Sequence, residues 1–480
     1  MDAYEQAVPE YTWTNLILLG VFISIAVVYT RKLIKNQATG LKYPPVYEGW
    51  LPWIGCAMEF GKQPLEFIHK KQQDLGPVFT CKIAGENMTF LTDPQDLHAF
   101  FQSPCLDFQK AVQTSVQNVA SISKESFFKY HSNIHDLVKG KLASSQLAAM
   151  SDKLYTEFKE QLDTLPSQGT EDLNKLVRYL MYKPTLNCLF GRNSLPVNNE
   201  VNKNCFEHFV KFDDQFEYGA KLPAFLLKAW SSSREYLLKI FCSLVNDKKE
   251  SSHQTNNDKT LFESLLDTID DQSSPNFCLL LMWASLANAI PMTFWTLAYI
   301  LTHEDVYKKV CDEINNTIPD NILYILIVFN IDINKMVYIK SCILETIRLR
   351  SPGVIPRYVV QPFQIGKYTV PVGHRIFASV FWAHRNPDCF QDPNRFNPER
   401  WDTKDIERNV FPKYFFPFGG GRYQCPGRWF GLMEIQIFLV MFLKKFKFEV
   451  FDSLPKPSYL HIVGTQQPAT SFSVQYQHVS

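Results

Sequence analysis

Tyr11 to Thr30 is a run of 20 residues without a charge, and its centre reads LILLGVFISIAVV. A helix of about 20 apolar residues matches the hydrocarbon thickness of a bilayer. The flanks decide how the run is used. A cleaved signal peptide carries positive charge before its apolar run and small residues after it. Here Asp2, Glu5 and Glu10 come before, while Arg31, Lys32 and Lys35 follow. The positive-inside rule then puts the C-terminal bulk in the cytosol and the N-terminus in the lumen. The run therefore reads as a signal anchor rather than a leader or a buried helix. Residues 1–10 are a short lumenal tail, 11–30 a single transmembrane pass, 31–49 a basic and proline-rich linker, and 50–480 the cytosolic body. In that orientation the acceptor triplets at Asn87 and Asn315 never meet the glycosylation machinery. Tyr43-Pro44-Pro45 reads as a stiff, extended hinge.

No Gly/Ser/Pro-rich linker or charge block divides the rest of the 480-residue chain, so one large domain is expected. An apolar fraction of 46% against 20% charged excludes general disorder. Lys+Arg 49 against Asp+Glu 48, with no basic stripe, argues against nucleic acid as a partner. The 38 Phe, 21 Tyr and 9 Trp suit a deep apolar pocket and suit a large helical core equally well.

Helical periodicity predicts helices over Pro64–Gln73, Asp172–Phe190, Phe206–Phe216, Phe277–Leu301, Val306–Ile314 and Met336–Leu349. A last helix, apolar nearly all round, runs from Trp429 to Phe446. PVFTCKI and MTFLT around Gly85 read as a hairpin, and short strands are expected at Tyr358–Val360, Gln364–Ile365 and Tyr368–Val370. The fold class is mainly α with a small β portion. Ile322–Phe329 (ILYILIVF) is too short to span a membrane; a buried strand, an exposed loop and an inserted segment all stay open.

Eleven irregularly spaced cysteines without a C-x-x-C indicate neither a zinc ribbon nor a thioredoxin-type site. Most should be buried thiols in a reducing compartment. Cys425 differs, because it ends the segment Phe416-Pro417-Phe418-Gly419-Gly420-Gly421-Arg422-Tyr423-Gln424-Cys425-Pro426-Gly427 just before the last helix. A phosphate loop is excluded, since no Lys-Ser/Thr follows the glycines. Three glycines suit a chain held against something flat or bulky. Pro426 suits a first helical turn. A thiol at a helix N-terminus is drawn toward thiolate, which iron accepts as an axial haem ligand. An inert buried cysteine is the rival on this segment alone.

F-x-x-G running into C-x-G resembles the haem-binding loop of the cytochrome P-450 family of haem-thiolate monooxygenases. Glu345 and Arg348, at i and i+3 in LETIRL, resemble the family's E-x-x-R, and Arg400 in Asn397-Pro398-Glu399-Arg400-Trp401 resembles its third partner. Pro44-Pro45 and Gly49-Trp50-Leu51-Pro52-Trp53-Ile54-Gly55 resemble the anchor-to-domain hinge. The resemblance implies the cytochrome P-450 fold and haem b ligated through iron by Cys425. It implies a haem cradle of Phe418, Gly421, Arg422, Gly427 and Arg357, with the arginines toward propionates. It also implies dioxygen, NADPH-derived electrons through an NADPH-dependent haemoprotein reductase, and an endoplasmic reticulum membrane location with lipid around the anchor.

The long segment FCLLLMWASLANAIPMTFWTLAYIL is similar to the helix over the haem in the sterol 7-hydroxylase and prostacyclin synthase branch. FGKQPLEFI and LPKPSYLHIVG resemble the oxysterol 7α-hydroxylases within it. That implies 7α-hydroxylation of side-chain oxysterols, 24-hydroxycholesterol first, in cholesterol catabolism and bile acid synthesis. The alternative is an isomerase of a lipid peroxide that needs no NADPH.

The chain departs from the family pattern in places. Ala287 and Asn288 stand where most members carry an acid–Thr pair, so protons are expected to come through water ordered by Asn288. Pro291 should kink this helix and free a carbonyl. The early W-x-x-x-R is missing; Trp230…Arg234 has the letters but lies too late, and His131 and Lys129 are open substitutes. Trp283, Ala284, Val354, Ile355 and Thr465 are expected, with Ala287 and Asn288, to line a sterol pocket.

Overall fold

The computed structural model describes residues 19, 20, 23, 41–51, 53–192, 194, 199–250, 259–318, 335–401 and 414–479. Apart from its three isolated residues, the anchor read at 11–30 lies outside them, as do linker residues 31–40 and the run Ile322–Phe329.

The strands are β1 (Val46–Tyr47), β2 (Val78–Ile83), β3 (Glu86–Leu91), β4 (Leu106–Asp107), β5 (Gln168–Asp172), β6 (Val354–Val359), β7 (Phe363–Ile365), β8 (Tyr368–Val370), β9 (Arg375–Ser379), β10 (Phe446–Val450) and β11 (Ser473–His478). They form a sheet in the order β1-β2-β3-β9-β6-β4, a second of β10-β11-β5, and the pair β7-β8. The expected hairpin is β2–β3, paired antiparallel from Val78↔Leu91 to Ile83↔Glu86. Ala84 and Gly85, at φ +50° and +81°, make its two-residue turn, the left-handed geometry that matches strand twist. β6 starts four residues before the strand expected there. β1, β4, β5, β9, β10 and β11 were not anticipated; β9 and β11 take their place through pairing with distant strands.

The early helices are α1 (Ala57–Lys62), α2 (Pro64–Leu75), α3 (Leu97–Gln102), α4 (Phe108–Ala120), α5 (Lys124–Lys141) and α6 (Leu147–Leu162). Next come α7 (Leu173–Phe190), α8 (Asn199–Asp214), α9 (Phe216–Gly219), α10 (Lys228–Glu250) and α11 (Leu261–Thr268). The later ones are α12 (Ser274–Leu286), α13 (Ala289–Thr302), α14 (Glu304–Thr317), α15 (Val337–Arg350), α16 (Val380–Ala383) and α17 (Arg428–Lys445). Their ends follow local chemistry: Asp172 caps α7 by accepting from the Lys175 N–H at 2.9 Å, and Thr260 and Glu263 close a reciprocal capping box on α11.

Ser274–Thr302 and Gly421–Lys445 are apolar and long enough to cross a membrane, yet most of each is buried inside the protein. They form the centre of the main core with α6, α7 and α15; Phe158, Leu180, Phe294, Leu344 and Phe438 belong to it. The proline-rich hinge is docked, not free. Thr369 N–H donates to the Lys42 carbonyl and Thr80 N–H to the Pro45 carbonyl, both at 2.8 Å. Gly55 permits this docking, because a Cβ there would lie 2.0 Å from the Lys82 carbonyl oxygen.

Glu434 of α17 is fully buried, with the Thr185 hydroxyl of α7 donating to one of its oxygens. Burial pushes its carboxyl up to about 8, so the native state keeps a proton that the unfolded chain loses near pH 4.5. Native binds more protons than unfolded across that interval, so this group's contribution makes stability fall as pH rises from 4.5 through 8. Glu434→Gln is expected to remove that part of the slope, read as a flatter melting temperature between pH 5 and pH 8. An unchanged slope would contradict the assignment.

Candidate active site

The helix pair α12–α13 is interrupted at Ala287–Asn288, with Asn288 at φ −106°, ψ −37°. Pro291 explains the position: it has no N–H for the Ala287 carbonyl four residues back. The ladder resumes at once, Met292 N–H donating to the Asn288 carbonyl at 3.1 Å. Ala284 and Asn288 are exposed on a helix pair whose other faces are mostly buried.

Asn288 is held by the C-terminal loop. Its Oδ1 accepts from the Thr465 N–H at 2.9 Å and from the Thr465 hydroxyl at 3.3 Å. A backbone N–H can only donate, so the amide oxygen faces Thr465 and Nδ2 is the group left for a ligand. Neighbouring residues tie the same loop to four other elements. Ile462 and Val463 N–H groups donate to Glu217 of α9 at 2.9 and 3.0 Å. The Ile462 carbonyl accepts from Val354 of β6 at 2.9 Å. Gln466 N–H reaches the Arg350 carbonyl of α15 at 3.0 Å, and its own carbonyl accepts from Trp295 of α13 at 2.6 Å.

Cys425 lies three residues before α17, with Gly427 at the N-cap. Pro426 therefore precedes the helix and does not sit in its first turn. The loop is folded on itself: Cys425 N–H donates to the Phe418 carbonyl at 3.0 Å, and Gln424 N–H to the Gly421 carbonyl at 3.2 Å. Gly421 has φ +68°, and a Cβ there would meet the Phe101 carbonyl oxygen at 2.2 Å, so only glycine fits. Phe418 is half-buried against the main core. Cys425 is exposed to solvent although burial of its surroundings dominates its electrostatics. The pull toward thiolate expected from the helix end does not win here. Burial pushes the thiol up, against the Gly427 N–H and the Arg428 guanidinium.

Behind the loop, Glu345 and Arg348 are fully buried and bonded at 2.8 and 2.9 Å. Arg400 Nε adds a contact to Glu345 at 2.9 Å. The Trp401 indole N–H and the Asn397 backbone N–H, which the sequence reading missed, also donate to Glu345, at 3.1 and 3.0 Å. Arg348 continues to the carbonyls of His384 and Pro393 at 2.7 and 2.6 Å. The His384 ring then accepts from the Phe416 N–H at 3.1 Å, which links the buried charges to the cysteine loop. Burial, then the charges of Arg385 and Arg348, keeps this imidazole far below its usual pKa, so it stays neutral and able to accept.

Arg357 is 3% exposed, and its side chain donates to the Pro356 carbonyl at 2.9 Å. Burial lowers its guanidinium to about 10. It packs on Phe108 and Tyr423, at 4.9 and 5.6 Å, and the exposed Arg422 lies over the same Tyr423 ring at 5.6 Å. His131 and His135 also border Tyr423, with ring centres 6.3 and 6.2 Å away. Lys129 does not: it pairs with Asp270 on the surface at 2.6 Å. Of the two open substitutes, only His131 is near the arginines.

The expected pocket residues divide. Ala284, Ala287, Asn288 and Thr465 come together at the helix break, and Ile355 lies by the cysteine loop, 3.7 Å from where a Gly419 Cβ would be. Val354 does not join them; it is buried in the N-terminal core beside Ile462. Trp283 stacks on Phe216 at 3.5 Å and donates to the buried Asp213 at 3.1 Å, so its ring is committed to packing against α8 and α9.

A helix broken at Asn288, together with a cysteine loop braced by buried Glu and Arg, has a counterpart among known proteins. The Cytochrome P450 family model matches residues 44–474, and the chain belongs to that family. Human 24-hydroxycholesterol 7-alpha-hydroxylase is 41% identical over 445 residues, covering 92% of this chain and 95% of that protein. The mouse protein of the same name is 40% identical over 459 residues, covering 95% and 97%. A cholesterol 7-alpha-monooxygenase from Cricetulus griseus is 27% identical over 445 residues, covering 85% and 88%. The chain is thus a monooxygenase whose chemistry uses haem iron, dioxygen and electrons from a redox partner.

The residues fit the haem. A buried guanidinium with no ion pair to a described residue and only the field of Asp107 acting on it, as at Arg357, calls for an anion such as a propionate. An exposed thiol after three glycines suits an iron ligand. Arg357→Gln is expected to lower the haem-to-protein ratio of purified enzyme severalfold, measured by the pyridine haemochrome, while leaving the far-UV spectrum unchanged. Glu345→Ala leaves Arg348 buried and unpaired, and is expected to cost about 3–5 kcal/mol in denaturant unfolding.

Proposed function

We propose that this chain 7α-hydroxylates side-chain oxysterols, 24-hydroxycholesterol first among them, in cholesterol catabolism toward bile acids. The observation that carries the reading is 41% identity across 92% of the chain with a human protein of that name. Cys425 would hold the iron of haem b through its sulfur, and Phe418, Gly421, Arg422 and Gly427 would shape the loop around it. Arg357 would neutralise a propionate. When bound, the haem supplies reductive activation of dioxygen, one atom entering the sterol and the other leaving as water.

The chain's own contribution is shape and proton handling. Ala284 and Ala287 leave room for a rigid ring system along the broken helix. Thr465 fixes the Asn288 amide so that Nδ2 donates into the site. Water held between Nδ2 and the Ala287 carbonyl, to which Pro291 has no N–H to donate, carries protons where an acid–hydroxyl pair is missing. Electrons come from an NADPH-dependent haemoprotein reductase. Residues 11–30 anchor the chain once in the endoplasmic reticulum membrane, with 50–480 as one cytosolic catalytic domain.

The test is turnover of the purified protein with reductase, NADPH and a panel of side-chain oxysterols, the products being identified by mass and hydroxyl position. NADPH-dependent 7α-hydroxylation that disappears in Cys425→Ala is expected. Asn288→Ala should lower kcat about tenfold with little change in KM, and divert NADPH to peroxide or water. Conversion of an endoperoxide without NADPH, and no oxygenated sterol, would overturn the reading.

A further inference from the structure

A cavity of about 590 Å³ lies where the end of α4, the start of α5, the loop after α9 and α10 converge. Its lining holds two cations, Lys221 and Arg234, with the polar side chains of Asn118, Ser121 and Ser123, and no carboxylate. Arg234 is poorly satisfied. Its Nη1 donates to the Asn118 carbonyl at 2.6 Å, its Nε is buried without an acceptor, and its guanidinium lies over Trp230 at 5.2 Å. Glu235 is the acid that acts on it. Glu217 acts on Lys221, but its Oε1 is taken by the Ile462 and Val463 N–H groups.

The 18-residue α5 begins at the same cavity, and the N–H groups of its first turn add partial positive charge there, offset in part by the exposed Glu125 of that turn. Leu222, Phe225 and Leu226 stand exposed on the neighbouring loop, at 40%, 73% and 59%. A cationic cavity beside an apolar tip matches a ligand with an anionic head and an apolar body.

We propose that this cavity binds the oxyanion head of an amphiphile, a phosphate or sulfate ester whose apolar body lies along Leu222, Phe225 and Leu226. The site is separate from Cys425 and does not depend on which sterol is oxidised. Calorimetric titration of the full chain in nonionic detergent tests it, with dihexanoyl phosphatidic acid, dihexanoyl phosphatidylcholine and inorganic phosphate as probes.

Phosphatidic acid is expected to bind at least tenfold more tightly than either other probe, and phosphate to compete with it. Arg234→Gln should weaken phosphatidic acid tenfold or more, Arg234→Lys should recover part of the loss, and Cys425→Ala should change nothing. The Lys221 side chain makes no hydrogen bond to a described residue and lies over Phe60 at 5.7 Å, so Lys221→Gln keeps the fold and should weaken binding severalfold; it decides the matter if Arg234→Gln does not fold. Equal binding of the two lipids, or equal binding by wild type and the cavity variants, would overturn the proposal. Phosphate binding as tightly as phosphatidic acid would overturn the amphiphile and reduce the site to one for a free anion.

Discussion

A carboxylate with no exposure to solvent must recover the hydration it loses, and Glu345 does so with five hydrogen bonds. That requirement organises the proximal half of the molecule. Arg348 comes from the same helix turn, but Arg400, Trp401 and the Asn397 N–H come from a segment about fifty residues later. To satisfy one charge, the chain has to bring the irregular stretch 384–401 against α15. The surplus donors of Arg348 then fix the carbonyls of His384 and Pro393, and the His384 ring fixes the first residue of the cysteine loop. The loop is therefore positioned by buried charge satisfaction, while its own glycines supply only the freedom to bend.

The distal half is organised by a proline and a strap. Pro291 breaks the helical ladder at Ala287, and the break frees the Asn288 side chain to be held from outside its helix. The holder is the loop Ile462–Gln466, which is bonded in succession to α9, β6, the break, α15 and α13. The orientation of one amide facing the site thus depends on elements separated by hundreds of residues. The same loop reaches Glu217, next to the chain segment that borders the cationic cavity.

Much of this was legible in the sequence where the signal was local. The hairpin at Gly85, the helix after Asp172 and the Glu345–Arg348 spacing each follow from periodicity, caps or an i, i+3 relation. The resemblance supplied Arg400, whose meeting with Glu345 no local pattern states. What escaped was set by tertiary pairing. β10 and β11 are short and polar on alternate positions, and they pair across the end of the chain. Val354 reads as a pocket residue by its place beside Ile355, yet strand alternation turns it into the other core. Trp283 reads as a roof, but Asp213 and Phe216, remote in sequence, claim its ring. The lowering of the Cys425 thiol inferred from a helix end was outweighed by burial, a property no sequence window reports.

The central claim is that buried charge satisfaction at Glu345 holds the cysteine loop, and amide hydrogen exchange tests it most directly. Glu345→Gln keeps the shape but removes the charge, and should be compared with wild type under conditions where both are more than about nine-tenths folded. The account predicts faster exchange at the Phe416 and Cys425 N–H groups in the variant, while the Thr465 N–H, held by Asn288, exchanges as in wild type. Equal protection of Phe416 and Cys425 in the two proteins would contradict it.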